Sequence, residues 1–310
     1  MGPTVVVRRR RPPLPCSPMP TPDIRVTRTV QVSGVEIGPE APLAVIAGPC
    51  VLESLELGLE VGAMLRDACG ELGLGYVFKA SFDKANRSSI SSPRGPGLER
   101  GLAWLREIRD RLGVPVTTDL HEPEQAMPVA EAVDVLQIPA FLCRQTDLLH
   151  AAGEAARRHD RAVNVKKGQF LSPREMTGPV RKLAEAGCEK AICTDRGTFF
   201  GYHRLVNDFT GLGDLLELDC SGFTELGPPP VCMDVTHSMQ LPGSGEQTGG
   251  RPEHAPLLAR AAVAAGVHAL FLEVHPEPKK AMSDASTQLT PDVALRILHE
   301  ARAIRAALPR

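Results

Sequence analysis

The sequence predicts a (β/α)8 TIM barrel with an N-terminal β-hairpin. Eight short apolar runs recur along the 310 residues, amphipathic helical patterns separate them, and polar residues follow each run. Parallel strands buried on both faces are continuously apolar, and strands that alternate with helices form βαβ units. A barrel of this kind takes about 250 residues, so it fits the chain as one domain. An open, doubly wound sheet is the alternative.

Two segments precede the first apolar run. Residues 1–23 contain Arg8 to Arg11 followed by six prolines, and we expect a disordered tail. Residues 24–38 alternate apolar and polar side chains around Ser33-Gly34, a pattern typical of a small hairpin. Residues 39–310 are then expected to form the barrel, which is the catalytic domain.

The barrel elements follow in a regular order along the chain. The predicted strands are 43–47, 76–78, 114–117, 135–138, 162–165, 190–193, 231–235 and 269–272. Helical patterns are clearest at 98–112, 148–160 and 178–186. The lone Trp104 lies on the first of these and is expected to pack against the core.

Composition excludes several classes of protein. The formal net charge of -2 and the charged fraction of 23% indicate no nucleic-acid or membrane-surface partner, so a basic site must be local. No run reaches the roughly 18 apolar residues of a membrane span. The eight cysteines form no CxxC pair, which favours free thiols in a reducing cytoplasm.

Residues 79–89 (KASFDKANRSS) place three cations among serines and an asparagine directly after the second strand. Lys, Arg, Ser and Asn are the side chains that hold phosphate oxygens. A solvated basic loop is the ordinary alternative, but polar residues follow all eight predicted strands. Barrel enzymes assemble their sites at the carboxyl ends of the strands, so we expect an anion site there.

Four residues at these strand ends are potential metal ligands: Cys50, His237, Glu273 and Asp284. The first three follow or end strands one, seven and eight, which are neighbours in a closed barrel. One thiolate, one imidazole and two carboxylates suit a borderline divalent ion such as Zn, Fe(II), Mn or Co. Scattered ligands carry no local signature, so the residues alone leave open whether they are ligands or structural side chains.

The motifs at the strand ends resemble those of the 3-deoxy-D-manno-octulosonate 8-phosphate synthase family. The resemblance covers nearly all of residues 43–290. It rests on 47–50 (AGPC), 79–89, 94–97 (RGPG), 137–147 (QIPAFLCRQTD), 164–170 (NVKKGQF), 234–238 (DVTHS) and 283–288 (SDASTQ). It implies an enzyme that condenses phosphoenolpyruvate with D-arabinose 5-phosphate in lipopolysaccharide precursor synthesis, and a homotetramer.

The resemblance also implies roles for individual residues. Those matching phosphoenolpyruvate-binding positions are Lys79, Ser81, Lys84, Gln137, Ala140, Lys166 and Arg196. Those matching arabinose 5-phosphate positions are Asn86, Arg87, Ser88 and Asp119. Lys84, Asp119 and His237 are the candidate catalytic residues, with Asp119 and His237 as candidates for proton handling.

Family members divide by the residue that ends the first strand. Metal-independent members carry Asn and metal-dependent members carry Cys, so Cys50 implies the metal-dependent group with Cys50, His237, Glu273 and Asp284 as ligands. Departures from the family pattern are local: the long tail, Ser91 in place of His, an extended helix at 148–160, and residues 211–230, which have the character of an insertion.

Two other functions are alternatives to this synthase. A related synthase joins phosphoenolpyruvate to erythrose 4-phosphate, giving 3-deoxy-7-phosphoheptulonate, but it typically carries a Lys-Pro-Arg-Thr-Ser stretch after the second strand, unlike residues 79–89 here. A non-catalytic barrel that binds phosphorylated ligands is the other. Loss of a ligand or of Lys166 or Arg196 would indicate it, and all are present.

Overall fold

The computed structural model describes residues 26–85, 93–242 and 249–308, so the predicted tail lies outside the described residues. The first elements are strands β1 (Val30–Val32) and β2 (Val35–Ile37), which pair antiparallel. Ser33 and Gly34 both have positive φ, at 42° and 90°, as a tight two-residue hairpin turn requires. The predicted N-terminal hairpin is confirmed.

Eight parallel strands close into a barrel. They are β3 (Ala44–Gly48), β4 (Gly75–Lys79), β5 (Val116–Asp119), β6 (Val135–Ile138), β7 (Ala162–Lys166), β8 (Ala191–Asp195), β9 (Val231–Asp234) and β12 (Ala269–Glu273). Because β12 pairs in parallel with β3, placing Glu273 opposite Gly48, the first and last barrel strands are neighbours. The predicted barrel is confirmed and the open-sheet alternative is wrong.

Eight α-helices, six short 3-10 helices and a short strand pair complete the described structure. The helices are α1 (Leu55–Leu72), α2 (Leu98–Leu112), α3 (Ala126–Ala132), α4 (Thr146–His159), α5 (Thr177–Glu185), α6 (Phe209–Leu216), α7 (Ala255–Ala264) and α8 (Pro291–Ala307). Strands β10 (Gln240–Leu241) and β11 (Gly249–Gly250) pair antiparallel beyond β9. In the described ranges, no helix is both long and apolar enough to cross a membrane.

The hydrophobic core has two parts. The larger part lies between the barrel and its helices, and the partly buried Trp104 of α2 packs against it as expected. The smaller part lies inside the barrel, where Val30, Val32 and Ile37 of the hairpin pack against residues that begin the strands, such as Ala44 and Ala162. The hairpin therefore closes the amino-terminal end of the barrel, called the base below, and leaves the opposite rim free for a site.

Most predicted element boundaries differ from the observed ones by one or two residues, and two of the differences have a clear structural origin. Strand β5 begins at Val116 rather than 114, because Pro115 has no N–H to donate to a ladder, and it extends to Asp119. Residues 211–230 begin inside α6, whose first turn is capped by the Asp208 side chain. The first part of this segment therefore supplies the helix that follows β8, and only the remainder connects to β9.

Candidate functional site

The four predicted metal ligands meet at the rim. The Cys50 thiol and carboxylate oxygens of Glu273 and Asp284 lie within 4.8 Å of one another, and Cys50 Sγ is 3.0 Å from Asp284 Oδ2. His237 Nε2 lies 3.7 Å from Glu273 Oε2 and 3.9 Å from Asp284 Oδ2. Adjacent strands β3, β9 and β12 therefore bring residues that are far apart in sequence close together, with 234 positions between Cys50 and Asp284.

The surroundings of the Glu273 side chain are suited to a bound cation. The side chain is fully buried, and its Oε1 accepts a hydrogen bond of 2.5 Å from Lys79 Nζ. Its Oε2 has no hydrogen-bond partner among the described residues. A buried carboxylate oxygen without a partner costs free energy, and a metal ion would satisfy it. Thiolate, imidazole and carboxylate donors together suit a borderline divalent ion.

The orientation of His237 is set by Asp234, at the end of β9. Asp234 Oδ2 lies 2.8 Å from His237 Nδ1, and Oδ1 accepts the His237 backbone N–H at 2.8 Å. Burial raises the pKa of Asp234, but the hydrogen-bonded His237 and the charges of Lys166 and Arg196 outweigh it and hold the pKa below its usual range. An ionised acceptor requires the proton on Nδ1, so the Nε2 lone pair faces Glu273 and Asp284.

The loop that carries Asp284 is anchored to the first barrel strand. Gln288 Oε1 accepts the backbone N–H of Cys50 at 3.2 Å, and Gln288 Nε2 donates to Ser283 O at 2.8 Å. Asp284 has a φ of 49°, a conformation that Asp tolerates better than most residues. The backbone N–H groups of Thr287 and Gln288 both donate to Asp284 O. One compact turn therefore holds two of the potential ligands in register.

Four cations lie beside this cluster: Lys79, Lys166 and Arg196 are buried, and Lys84 is partly buried. Lys84 Nζ lies 3.6 Å from Asp284 Oδ2, and Lys166 Nζ lies 2.6 Å from Asp234 Oδ2 and 3.5 Å from the centre of the Phe271 ring. Arg196 Nη2 donates to His237 O at 3.3 Å, while its buried Nη1 has no hydrogen-bond partner in the described structure. With Lys79, these side chains form a positive wall beside the potential ligands.

The acidic neighbours keep part of this wall charged. Burial lowers the pKa of Lys84, but Cys50, Glu273, Asp284 and Asp119 together raise it well above the usual value. Lys84 is therefore an ammonium at neutral pH. An unpaired Arg196 nitrogen and a fixed ammonium are donors that a phosphate or carboxylate ligand can satisfy.

The other predicted phosphoenolpyruvate positions lie on the same rim. Ser81 forms a parallel bridge with Val51 just beyond Cys50, and it is buried. Gln137 is the third of the four residues of β6, and its Oε1 accepts from Asn164 Nδ2 at 3.4 Å, while Ala140 begins the turn that follows β6. The structure thus places all seven predicted residues at the carboxyl ends of the strands.

The predicted sugar phosphate residues Asn86, Arg87 and Ser88 lie outside the described residues, as does Ser91. The described chain on either side is joined by a two-pronged ion pair, in which Arg94 Nε and Nη2 lie 2.7 Å and 2.5 Å from the Asp83 oxygens. The backbone N–H of Lys84 also donates to Arg94 O at 2.8 Å. These contacts hold together the described residues on either side of residues 86–92.

Asp119 forms a buried pair with His121, which the sequence analysis did not assign. Asp119 Oδ2 lies 3.0 Å from His121 Nε2, and in the described structure Asp119 Oδ1 and His121 Nδ1 have no hydrogen-bond partner. Burial lowers the pKa of His121, but Asp119 raises it above the usual value; burial raises the pKa of Asp119, but His121, Lys84 and Lys79 lower it. The pair is a candidate for moving a proton at the rim.

His121 and Asp234 are thus the functional candidates that sequence reasoning missed. Each carried a weak signal: His121 follows Asp119 by two residues at the end of a strand, and Asp234 precedes His237 by three. Neither spacing distinguishes a site residue from an ordinary polar loop residue. Only the closed barrel shows their contacts.

A closed β/α barrel whose rim gathers a possible metal cluster and four cations has the architecture of an enzyme acting on anionic ligands. Residues 23–307 match the DAHP synthetase I family, and the chain belongs to this family of enzymes.

Three proteins similar to this chain carry the name 2-dehydro-3-deoxyphosphooctonate aldolase. The protein of Syntrophotalea carbinolica is 47% identical over 279 residues, covering 90% of this chain and 96% of the relative. That of Nitratidesulfovibrio vulgaris is 50% identical over 261 residues, covering 84% and 91%. That of a Cyanothece species is 48% identical over 275 residues, covering 88% and 96%. The resemblance seen in the motifs is confirmed.

Proposed function

We propose that the chain is a 3-deoxy-8-phosphooctulonate synthase, which condenses phosphoenolpyruvate with D-arabinose 5-phosphate and water to give 3-deoxy-D-manno-octulosonate 8-phosphate and phosphate. Identity of 47–50% to relatives named for the corresponding aldolase supports this substrate pair. The structural observation that carries it is the convergence of Lys79, Lys84, Lys166 and Arg196 beside a cluster of four potential metal ligands.

The proposed phosphoenolpyruvate site uses the buried part of the rim. Its phosphate and carboxylate carry opposite charge to Lys79, Lys84, Lys166 and Arg196, and Arg196 Nη1, which lacks a hydrogen-bond partner among the described residues, is a donor for such a ligand. Arabinose 5-phosphate is proposed to bind Asn86, Arg87 and Ser88, with Asp119 near its hydroxyl groups. This arrangement sets the two anions side by side, because cations on different strands offset their repulsion.

Placing the two substrates together accounts for much of the proposed catalysis. Carbon 3 of phosphoenolpyruvate attacks the aldehyde of the sugar, water adds to carbon 2, and phosphate leaves with cleavage of the C–O bond. Holding both reactants in the reactive geometry removes entropy from the barrier, and fixed cations stabilise the charge that develops. The Asp119–His121 pair, whose two members interact electrostatically with Lys84, is the proposed acid–base couple for exchanging protons during these steps.

The proposed metal ligands are Cys50, His237, Glu273 and Asp284. A divalent ion bound there supplies Lewis-acid chemistry, either to the sugar aldehyde or to the attacking water. The chain's own contribution is positional: Asp234 orients His237, and Gln288 ties the Asp284 loop to Cys50. Zn, Fe(II), Mn and Co all suit this donor set.

The setting proposed for the enzyme follows the family resemblance. We propose that the enzyme is cytoplasmic, that it forms a homotetramer, and that it has no nucleic-acid or membrane partner. The seven described cysteines are all free thiols, which agrees with a reducing compartment.

The decisive experiment compares two sugar phosphates. Purified enzyme is given phosphoenolpyruvate with either arabinose 5-phosphate or erythrose 4-phosphate, and inorganic phosphate is measured. Release with arabinose 5-phosphate supports the proposal, whereas preference for erythrose 4-phosphate supports the related heptulonate synthase. No release with either sugar supports a non-catalytic barrel.

The metal assignment has its own test. Treatment with a chelator should abolish phosphate release, and addition of a divalent ion should restore it. Full activity in the metal-stripped enzyme would overturn the assignment of Cys50 as a ligand while leaving the substrates intact.

A further inference from the structure

Asp234 contacts both halves of the proposed site. It is fully buried at the end of β9, and its Oδ2 lies 2.6 Å from Lys166 Nζ and 2.8 Å from His237 Nδ1. Its Oδ1 accepts the backbone N–H of His237 at 2.8 Å. Lys166 belongs to the proposed phosphoenolpyruvate site and His237 to the proposed metal centre, so one oxygen atom is shared between them.

A shared acceptor makes the two hydrogen bonds interdependent. Two donors that share one acceptor atom compete for its negative charge, and the low dielectric of a buried site makes this competition stronger. When an anionic ligand draws Lys166 Nζ toward itself, more of the negative charge on Oδ2 is available to the His237 Nδ1–H. A stronger bond at Nδ1 makes Nε2 a better electron-pair donor to a metal ion.

We propose that Asp234 is a positioning residue that couples the two halves of the site, so that phosphoenolpyruvate bound at Lys166 tightens the metal held through His237. The inference rests on the proposed function for the identity of both ligands. Coupling of this kind is reciprocal, and the bound metal therefore tightens phosphoenolpyruvate by the same factor.

Asp195 supplies a matched control. It is a buried carboxylate at the end of the neighbouring strand β8, where Oδ1 accepts the Gly197 N–H at 2.7 Å and Oδ2 lies 3.5 Å from Lys167 Nζ. It thus resembles Asp234 in burial and in having a lysine partner, but these contacts are to Gly197 and Lys167 and not to His237. Substituting it tests whether any buried rim carboxylate has the same effect.

The experiment titrates metal-free full-length protein with Co²⁺, which gives a thiolate-to-cobalt absorption band, with and without phosphoenolpyruvate. For Asp234→Asn we expect Co²⁺ affinity about 10–100-fold weaker than wild type, since loss of a carboxylate partner of a ligating His has this effect. Phosphoenolpyruvate should tighten Co²⁺ binding several-fold in wild type, by less in Asp234→Asn, and by the wild-type factor in Asp195→Asn.

The outcomes distinguish failure of the proposed metal centre from failure of the proposed coupling. If wild type does not bind Co²⁺, the proposed metal centre fails and the inference fails with it. If wild type binds Co²⁺ but Asp234→Asn keeps the wild-type affinity, or keeps the wild-type ratio with and without phosphoenolpyruvate, the inference alone is overturned. An equal loss of coupling in Asp195→Asn would also overturn it.

A measurement on unmodified protein covers the case in which Asp234→Asn does not fold. Nitrogen-15 NMR of the histidine rings in metal-free protein should show His237 with its proton on Nδ1. Added phosphoenolpyruvate should move that proton resonance downfield as the bond to Asp234 strengthens. A proton on Nε2, or a resonance that phosphoenolpyruvate leaves unchanged, would contradict the coupling.

Discussion

At the base of the barrel Asp134 is fully satisfied, whereas at the rim Glu273 is not. Asp134 Oδ1 accepts from Ser33 Oγ at 2.6 Å and Arg161 Nη1 at 3.1 Å, and Oδ2 accepts the Val116 N–H at 2.9 Å. Glu273 has one oxygen paired with Lys79 and one without a hydrogen-bond partner among the described residues. Both carboxylates are buried, yet only one has its hydrogen bonds complete.

The difference separates structural from functional burial of charge. At the base, the carboxylate joins the hairpin, β5 and the residue before β7, so its bonds stabilise the closed end. At the rim, like charges stand close together and polar atoms such as Arg196 Nη1 and Asp119 Oδ1 lack hydrogen-bond partners in the described structure. Such an arrangement costs stability in the free protein and offers pre-arranged contacts to ligands.

The largest expected effect is at the rim, for Glu273→Gln. The amide keeps the volume of the side chain but removes a charged ligand, so phosphate release should fall by at least about 10²–10³-fold. Phosphate release and metal content are measured together, with circular dichroism to verify the fold. Glu131→Gln, on the exposed face of α3, is the control and should match wild type. Wild-type activity in Glu273→Gln would show that the buried charge of Glu273 is not needed for function.

A smaller loss is expected for Cys50→Asn, because Asn is the residue that metal-independent members of the resembled family carry at this position. The variant should keep partial phosphate release that a chelator does not abolish. The chelator-treated wild type is the reference for this measurement. Complete inactivity with an intact fold would show that one residue does not convert the site.

At the base, Asp134→Asn should affect stability and not catalysis. The amide cannot accept all three hydrogen bonds, two of which come from the hairpin and Arg161, so the free energy of unfolding should fall by about 1–3 kcal/mol. Urea unfolding measures this loss, and kcat for phosphate release should stay at the wild-type value. A fall in kcat with unchanged stability would reverse the assignment of the two ends.

The smallest effect at neutral pH concerns His268, whose Nδ1 accepts the Val231 N–H at 3.0 Å near the base. Burial, with a contribution from Arg305, lowers the pKa of His268 from 6.5 to about 4. The unfolded state therefore gains a proton first as pH falls, and stability is lost between about pH 6.5 and 4. By pH 5 this loss reaches about 2 kcal/mol.

Urea unfolding of wild type at pH 7 and pH 5 tests this, compared with His268→Asn, whose Oδ1 can accept the same N–H without titrating. We expect the variant to lose about 2 kcal/mol less than wild type between these two pH values. An identical loss in the two proteins would place the pH dependence elsewhere.

Much of the fold was predictable because strands buried on both faces must be apolar throughout. The eight runs located the barrel strands to within a few residues, and the exact bounds of α2 followed from its amphipathic pattern. Errors arose where one residue overrides the pattern, as Pro115 does at the start of β5. Most of α6 lies within residues 211–230, which the sequence suggests are an insertion, because eight residues with two glycines give too short a pattern to predict a helix.

The sequence by itself determined the residue types of the site and the strand ends that carry them, since strand order in a barrel follows chain order. The strand pattern therefore predicts that Cys50, His237, Glu273 and the four cations lie at one rim. Tertiary structure alone decided the contacts: that Asp234 shares one oxygen between Lys166 and His237, and that Asp119 pairs with His121. The physical reason is that a hydrogen bond depends on side-chain direction and distances of a few ångström, which arise only when the strands close and fix the rotamers.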